Sequence, residues 1–177
     1  MERRIPATAT PAPLIPFVLE TLERLVLRST WLQRFLLDTH EQALQKLLPY
    51  LRDVQCITIV GGGMYPRTAL LLQKLLPYAE IHVIDTNRNH LDKAERFLNG
   101  GVQLQHGFYD PEQQTQSDLL IIPLSYQGDR DAIYRNPPAR RVLVHDWIWS
   151  RRGVSAVVSV LLLKRMNLIG IEGRVNR

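Results

Sequence analysis

Two short stretches of the chain carry residue types that can do chemistry together. The first is Gly61-Gly62-Gly63-Met64-Tyr65-Pro66, which follows the β-rich run Cys56-Ile57-Thr58-Ile59-Val60. Glycines at such a place allow positive φ and let a ligand come close to the backbone. Pro66 stands where a helix would begin. A helix start offers unbonded N–H groups and a partial positive charge to a carboxylate or phosphate. The second stretch is Ile81-His82-Val83-Ile84-Asp85, closed by an acid 22 residues after Gly63. A carboxylate there can accept hydrogen bonds from both vicinal hydroxyls of a ribose. Strand, glycine turn, helix, strand and acid, in that order, point to a nucleoside-type ligand. The plainer alternative is a glycine turn required only for tight packing, with Asp85 capping the next helix.

A third cluster is His145-Asp146-Trp147-Ile148-Trp149. His145 could act as a general base held by Asp146. Adjacent strand residues point to opposite faces, however, which argues against a dyad. The two tryptophans read equally well as core or as dimer surface. His40, His82, His90 and His106 show no metal-ligand spacing, and no metal is expected.

The elements that must position these residues follow from periodicity. Residues 1–13, with Pro6, Pro11 and Pro13, read as a flexible arm. Residues 14–52 read as an N-terminal helical cap. Its first part, Leu14–Leu37, is divided near Thr30. The apolar stretch near Leu14–Leu19 is expected to start a helix rather than to serve as a signal peptide. Thr39-His40-Glu41-Gln42 reads as a capping box opening a second helix, with Leu44, Leu47, Leu48 and Leu51 on one face. Residues 53–177 then alternate strands with helices, as βαβ units do. The expected strands are 56–60, 81–85, 102–105, 119–124 and 142–145. Val154–Arg165 is expected to be a last helix, followed by a short strand at Asn167–Ile171. The fold class is thus α/β, a Rossmann-like and mostly parallel sheet of about five to six strands with a helical extension. In such sheets ligands sit at the carboxyl ends of the strands.

Composition agrees with one compact domain: 45% of the 177 residues are apolar and 22% charged. That excludes disordered, collagen-like and repeat architectures. A single cysteine, Cys56, excludes an internal disulfide framework and fits a reducing, cytoplasmic setting. No apolar run approaches the roughly 20 residues of a membrane span, so no membrane partner is expected. The net charge of +5 is concentrated at the end, where residues 140–177 hold eight Lys/Arg and two Asp/Glu. Arg140, Arg141, Arg151, Arg152, Lys164 and Arg165 could form a track for nucleic acid, although a solvated basic rim is the simpler reading.

The glycine run does not fit a dinucleotide fingerprint, because the third position of Gly-x-Gly-x-x-Gly is Pro66, and no Walker lysine follows. The run Val60–Ala69 instead resembles the first motif of the class I S-adenosylmethionine-dependent methyltransferases. More narrowly, it is similar to the Gly-x-Gly-x-x-Pro-x-Thr form of nicotianamine synthase-like proteins. Val83-Ile84-Asp85-Thr86-Asn87, with Leu91 and Ala94, resembles the second motif. The resemblance covers about residues 56–165. It implies S-adenosyl-L-methionine as cofactor, lined by Gly61, Gly62 and Gly63, with Asp85 and the adjoining Thr86 at the ribose. It also implies Asp110 at the adenine amino group. The loop Pro123-Leu124-Ser125-Tyr126 would lie beside the cofactor and acceptor, Tyr126 stacking on or hydrogen-bonding a ligand.

The chain departs from that family after its fifth strand, where about 32 residues stand in place of two further strands and their helices. A truncated core results, and three arrangements answer it. The helical cap supplies a lid, a homodimer completes the site, or the protein binds the cofactor and transfers nothing. The leading expectation is methyl transfer to an unidentified small molecule. A non-catalytic nucleoside-binding or interaction protein comes second. Aminocarboxypropyl transfer is a lesser alternative, and a dinucleotide-dependent oxidoreductase is weaker still. Nucleic acid as acceptor is not favoured, since the fourth strand lacks the Asn/Asp-Pro-Pro-aromatic signature of base-amino methyltransferases.

Overall fold

The computed structural model describes residues 28–110 and 116–170. The expected arm and residues 14–27 of the cap lie outside them. Helix α1 (Thr30–Leu47) is capped by Ser29, whose side-chain oxygen accepts from the Leu32 N–H at 3.3 Å. The helix thus begins beside Thr30, where a division is expected; the first part of that stretch lies outside the described residues. The capping box expected at Thr39 does not form. α1 runs through it, and Thr39 Oγ1 donates to the Leu36 carbonyl at 3.2 Å. Leu36, His40, Ala43, Leu44 and Leu47 make one buried stripe, and packing keeps the helix continuous where local signals suggest a start.

The sheet has seven strands: β1 (Cys56–Val60), β2 (Glu80–Asp85), β3 (Val102–His106), β4 (Leu119–Ile122), β5 (Arg141–Trp147), β6 (Val154–Ser159) and β7 (Lys164–Ile169). Their order is β3-β2-β1-β4-β5-β7-β6. The first five are parallel, and β7 is antiparallel to both β5 and β6. Three helices connect them: α2 (Arg67–Leu75), α3 (Arg88–Glu95) and α4 (Arg130–Arg135). The chain runs outward from β1 through β2 to β3, then returns past β1 to β4. The strand order therefore reverses between β1 and β4, and the loops after these two strands part at the carboxyl edge.

The α/β class is as expected, but the sheet has seven strands rather than five or six. Val154–Arg165 is not a helix: it forms β6, a turn and the start of β7. Its β-branched run Val154, Val157 and Val158 extends, and Met166 and Leu168 face the core. The core is therefore not cut short. An extended crossover, residues 148–153, joins β5 to β6. Asn167, fully buried on β7, pins it. Its amide N–H groups donate to Ser150 O (2.6 Å) and Tyr134 Oη (2.8 Å), and its Oδ1 accepts from Arg152 N–H (3.3 Å) and Ser155 Oγ (2.8 Å).

One sheet face, with Ile57, Ile59, Ile81, Val83, Ile121, Leu143 and Met166, packs under α1 and α2 as the main core. On the other face Leu120, Ile122, Val142 and Val144 meet Ile133 of α4. Parallel pairing sets Thr58, His82 and Gln103 in one row of that second face. The row is polar, and the described residues between β3 and β4 hold no helix to cover it. Asn167→Ala should lower stability by about 2–3 kcal/mol, because it strands several buried groups at once. The midpoint of urea unfolding measures this.

Candidate functional site

The exits of β1 to β5 line one edge. At the first, Gly61 and Gly63 take φ of +69° and +63°, which only glycine adopts without strain. A Cβ on Gly62 would come within 2.9 Å of Val83 Cγ1, and one on Gly61 within 3.3 Å of Pro123. Gly62 is therefore required by its close approach to β2, and Gly61 by its positive φ beside the loop after β4, whatever else they do.

Asp85 closes the turn. Its Oδ2 accepts from the N–H groups of Gly62 (3.0 Å) and Gly63 (3.3 Å), and its Oδ1 from Asn87 N–H (2.8 Å). His90 Nδ1 stands 3.7 Å from Oδ2. Burial pushes this carboxyl up, but the His90 ring and the N–H groups of Asn87 and Gly63 together outweigh it and hold it below the usual carboxylate range. A carboxylate has about four acceptor directions. Three are taken by backbone, which leaves one on Oδ1. Asn87 caps α3: its Oδ1 accepts from Asn89 N–H at 3.0 Å. Thr86 is exposed beside Asp85, with His106 Nε2 3.0 Å from its carbonyl.

Beyond β3 the structure brings two tyrosines to the edge. Tyr109 and Tyr126 both pack on the second core cluster. The Tyr109 hydroxyl is buried with no partner among the described residues. Burial, with smaller contributions from Tyr126 and Asp110, pushes its phenol up to about 12. Asp110 itself is exposed at the end of the described segment.

One side chain ties the loop after β4 to the end of β5. The Arg130 guanidinium donates to His145 O (2.7 Å), Pro123 O (2.9 Å), Leu124 O (2.8 Å) and Tyr126 O (3.4 Å). Nothing in the sequence marks Arg130, because its partners are backbone carbonyls of the loop after β4 and of strand β5. Tyr109 was within sight, one residue before Asp110, but only burial shows its unpartnered hydroxyl.

His145 and Asp146 face opposite sides of β5, as strand geometry requires, and do not form a dyad. Asp146 Oδ2 accepts from Tyr134 Oη, and its Oδ1 from Trp147 N–H, both at 2.8 Å. The His145 ring meets His40 of α1, 5.1 Å between centroids. Both rings are buried, and both Nε2 atoms lack a partner among the described residues. Burial first, and then the positive charges of Lys164 and Arg67, hold both imidazoles well below their usual pKa and hence neutral. The described residues contain no group of three or more His, Cys, Asp or Glu that could hold a metal ion.

No family model matches this sequence, and no curated protein matches it in sequence. Solved structures match it in fold. A mutant of MtNAS in complex with S-adenosylmethionine superimposes with a TM-score of 0.56 at 15% identity, over 74% of this chain and 61% of that one. MtNAS in complex with MTA and tNA gives 0.56 at 16% identity, over 74% and 59%. The plantazolicin methyltransferase BpumL, in complex with a monoazolic desmethylPZN analog and SAH, gives 0.50 at 17%, over 76% and 55%. This chain thus spans from 55% to 61% of the length of these neighbours. It shares the Rossmann-like α/β fold of these structures, at identities of 15% to 17%.

The buried histidines make stability depend on pH. Each is neutral in the fold and free to charge at its ordinary value of 6.5 once unfolded. Their contribution is complete above about pH 6.5 and is lost as pH falls below it, by up to about 1.4 kcal/mol per pH unit per histidine. The urea midpoint should drop between about pH 7 and pH 5, and less steeply in His40→Leu.

Proposed function

We propose that this chain binds S-adenosylmethionine at the exits of β1 and β2 and transfers its methyl group to a small-molecule acceptor. The single observation that carries this reading is the junction of glycine turn and Asp85 where the strand order reverses. The residues around it fit a nucleoside. Oδ1 of Asp85 has one acceptor direction left for a ribose hydroxyl, with Thr86 exposed alongside. The Tyr109 hydroxyl offers a donor in need of a partner. MtNAS and BpumL, bound to S-adenosylmethionine and SAH, support the assignment by fold. Asp110 is proposed for the adenine amino group, and Gly61, Gly62, Gly63 and Pro123 for the wall of the site.

When bound, the cofactor supplies a carbon already activated by its sulfonium. The chain's part is to hold, orient and exclude water. Arg130 fixes the loop bearing Pro123 and Tyr126, so that loop presents a set surface to the acceptor. Such chemistry needs a base only when the nucleophile must lose a proton. Tyr126, His145 and Asp146 are therefore assigned no proton transfer. A cytoplasmic setting agrees with the free thiol of Cys56.

A second reading has its own observation. Asp85 is spent largely on backbone N–H groups and is only 6% exposed, which suits a non-catalytic binding or interaction protein of the same fold. Aminocarboxypropyl transfer is the lesser alternative. Product analysis separates them: methyl transfer leaves S-adenosylhomocysteine, the other transfer leaves methylthioadenosine, and a non-catalytic protein leaves neither.

Calorimetric titration with S-adenosylmethionine, S-adenosylhomocysteine and NAD should show binding of the sulfur nucleosides and none of NAD. Asp85→Asn, which keeps an acceptor but loses the charge, should weaken S-adenosylmethionine by about 1.5–3 kcal/mol. Unchanged affinity would remove Asp85 from the ribose. Tyr109→Phe should leave the unliganded protein as stable as before, since it deletes an unsatisfied hydroxyl. It should nevertheless weaken the nucleoside; equal affinity would show that the hydroxyl meets no ligand.

A further inference from the structure

The turn joining β6 to β7 holds four consecutive aliphatic side chains out in solvent. Val160 is 70% exposed, Leu161 81%, Leu162 38% and Leu163 44%. Turns of this kind ordinarily carry Gly, Asn, Asp or Ser. Leu163 also sits at φ +50°, a left-handed conformation that glycine or asparagine adopts at lower cost. Folding alone thus gives no reason for leucine here, on hydration or on backbone grounds.

The tip is continuous with a second exposed feature. The Ile148 N–H donates to Leu163 O at 2.7 Å, and Trp147 pairs with Lys164 across β5 and β7. Trp147 stacks on Trp149, with centroids 5.5 Å apart and planes 7° from parallel, and Trp149 is 67% exposed. The charge carried by this stretch of chain is basic. From Trp147 to Gly170 the chain has Arg151, Arg152, Lys164 and Arg165 and no Asp or Glu. Arg151 and Arg152 are exposed, Arg152 also reaching Asp131 at 3.0 Å, while Arg165 is buried with Nη1 on Ile148 O.

We infer that this hairpin tip docks the protein on an anionic membrane surface. The leucines enter the acyl boundary, the tryptophans lie at headgroup level, and the basic residues supply the attraction to lipid phosphates. A protruding turn suits insertion into a fluid surface, whereas a partner helix would need a groove. A symmetric contact between two copies would set a basic stretch against its own kind, with Asp131 already engaged by Arg152. Nucleic acid would leave the aliphatic tip without a use. The tip lies on the carboxyl edge of the sheet, so docking turns the glycine turn and Asp85 toward the lipid. No spanning segment is involved, and no described helix is long and apolar enough to cross a membrane. The inference departs from the expectation of no membrane partner, which rested on spans alone. It does not rest on the cofactor reading.

The test is co-sedimentation of the full chain with phosphatidylcholine vesicles, with and without phosphatidylglycerol. Binding is expected only with phosphatidylglycerol, falling as salt rises, and weakened about tenfold or more in Leu161→Glu. Leu161 is too exposed for this variant to disturb the fold, and an unchanged urea midpoint checks that. No binding to either vesicle, or binding that Leu161→Glu leaves unchanged, overturns the inference. So does a dimer, seen by analytical ultracentrifugation without lipid binding, that Leu161→Glu dissolves.

Discussion

Asp85 gathers the exits of three strands. Its carboxylate oxygens hold the N–H groups of Gly62 and Gly63 after β1 and of Asn87 at the start of α3, while its main-chain carbonyl accepts from Gly107 N–H after β3 at 3.0 Å. A buried carboxylate is tolerable only when hydrogen bonds replace its water. The glycine turn supplies two of these because positive φ swings its N–H groups toward β2. Turn and acid thus require each other, and the candidate site inherits its shape from their agreement.

Arg130 plays the matching part on the other side of the strand reversal. Its guanidinium binds carbonyls from the loop after β4 and from β5, so an anionic hub and a cationic hub flank the gap between β1 and β4. Pro123 bridges them, held by Arg130 and packed 3.3 Å from where a Cβ of Gly61 would stand. A ligand at this edge would meet backbone already fixed from both sides, which is how a fold presents a preorganised surface.

Away from the site the architecture is lean. The β3–β4 connection holds no helix among the described residues, and the strand face beneath it carries His82, Gln103 and Gln105, which water can solvate, and Thr58, buried with its hydroxyl on Ser117. The crossover from β5 to β6 is extended, and Asn167 does the fastening that a packed helix would otherwise do. The apolar surface left at this end is not scattered. It gathers at the β6–β7 turn and the tryptophan pair, within a stretch that has no acid.

Much of this was legible in the sequence, for a local reason. The apolar runs of β1, β2 and β4, the glycine turn, Pro66 and Asp85 are signals carried by neighbouring residues, so type and spacing sufficed to give the α/β class and to mark a candidate site. The helix expected at Val154–Arg165 failed because leucine is read as a buried helix former, and nothing local shows that Leu161 to Leu163 lie in a turn. The capping box at Thr39 failed because the buried stripe from Leu36 to Leu47 is set by the sheet beneath it. The four carbonyls on Arg130, the facing of His40 and His145, and the unpartnered hydroxyl of Tyr109 depend on groups tens of residues apart. The sequence by itself determined which elements exist and where a nucleoside-type site could lie. Only tertiary structure decided which polar groups are satisfied and which are left for a ligand, because hydrogen bonding and burial are properties of neighbours in space.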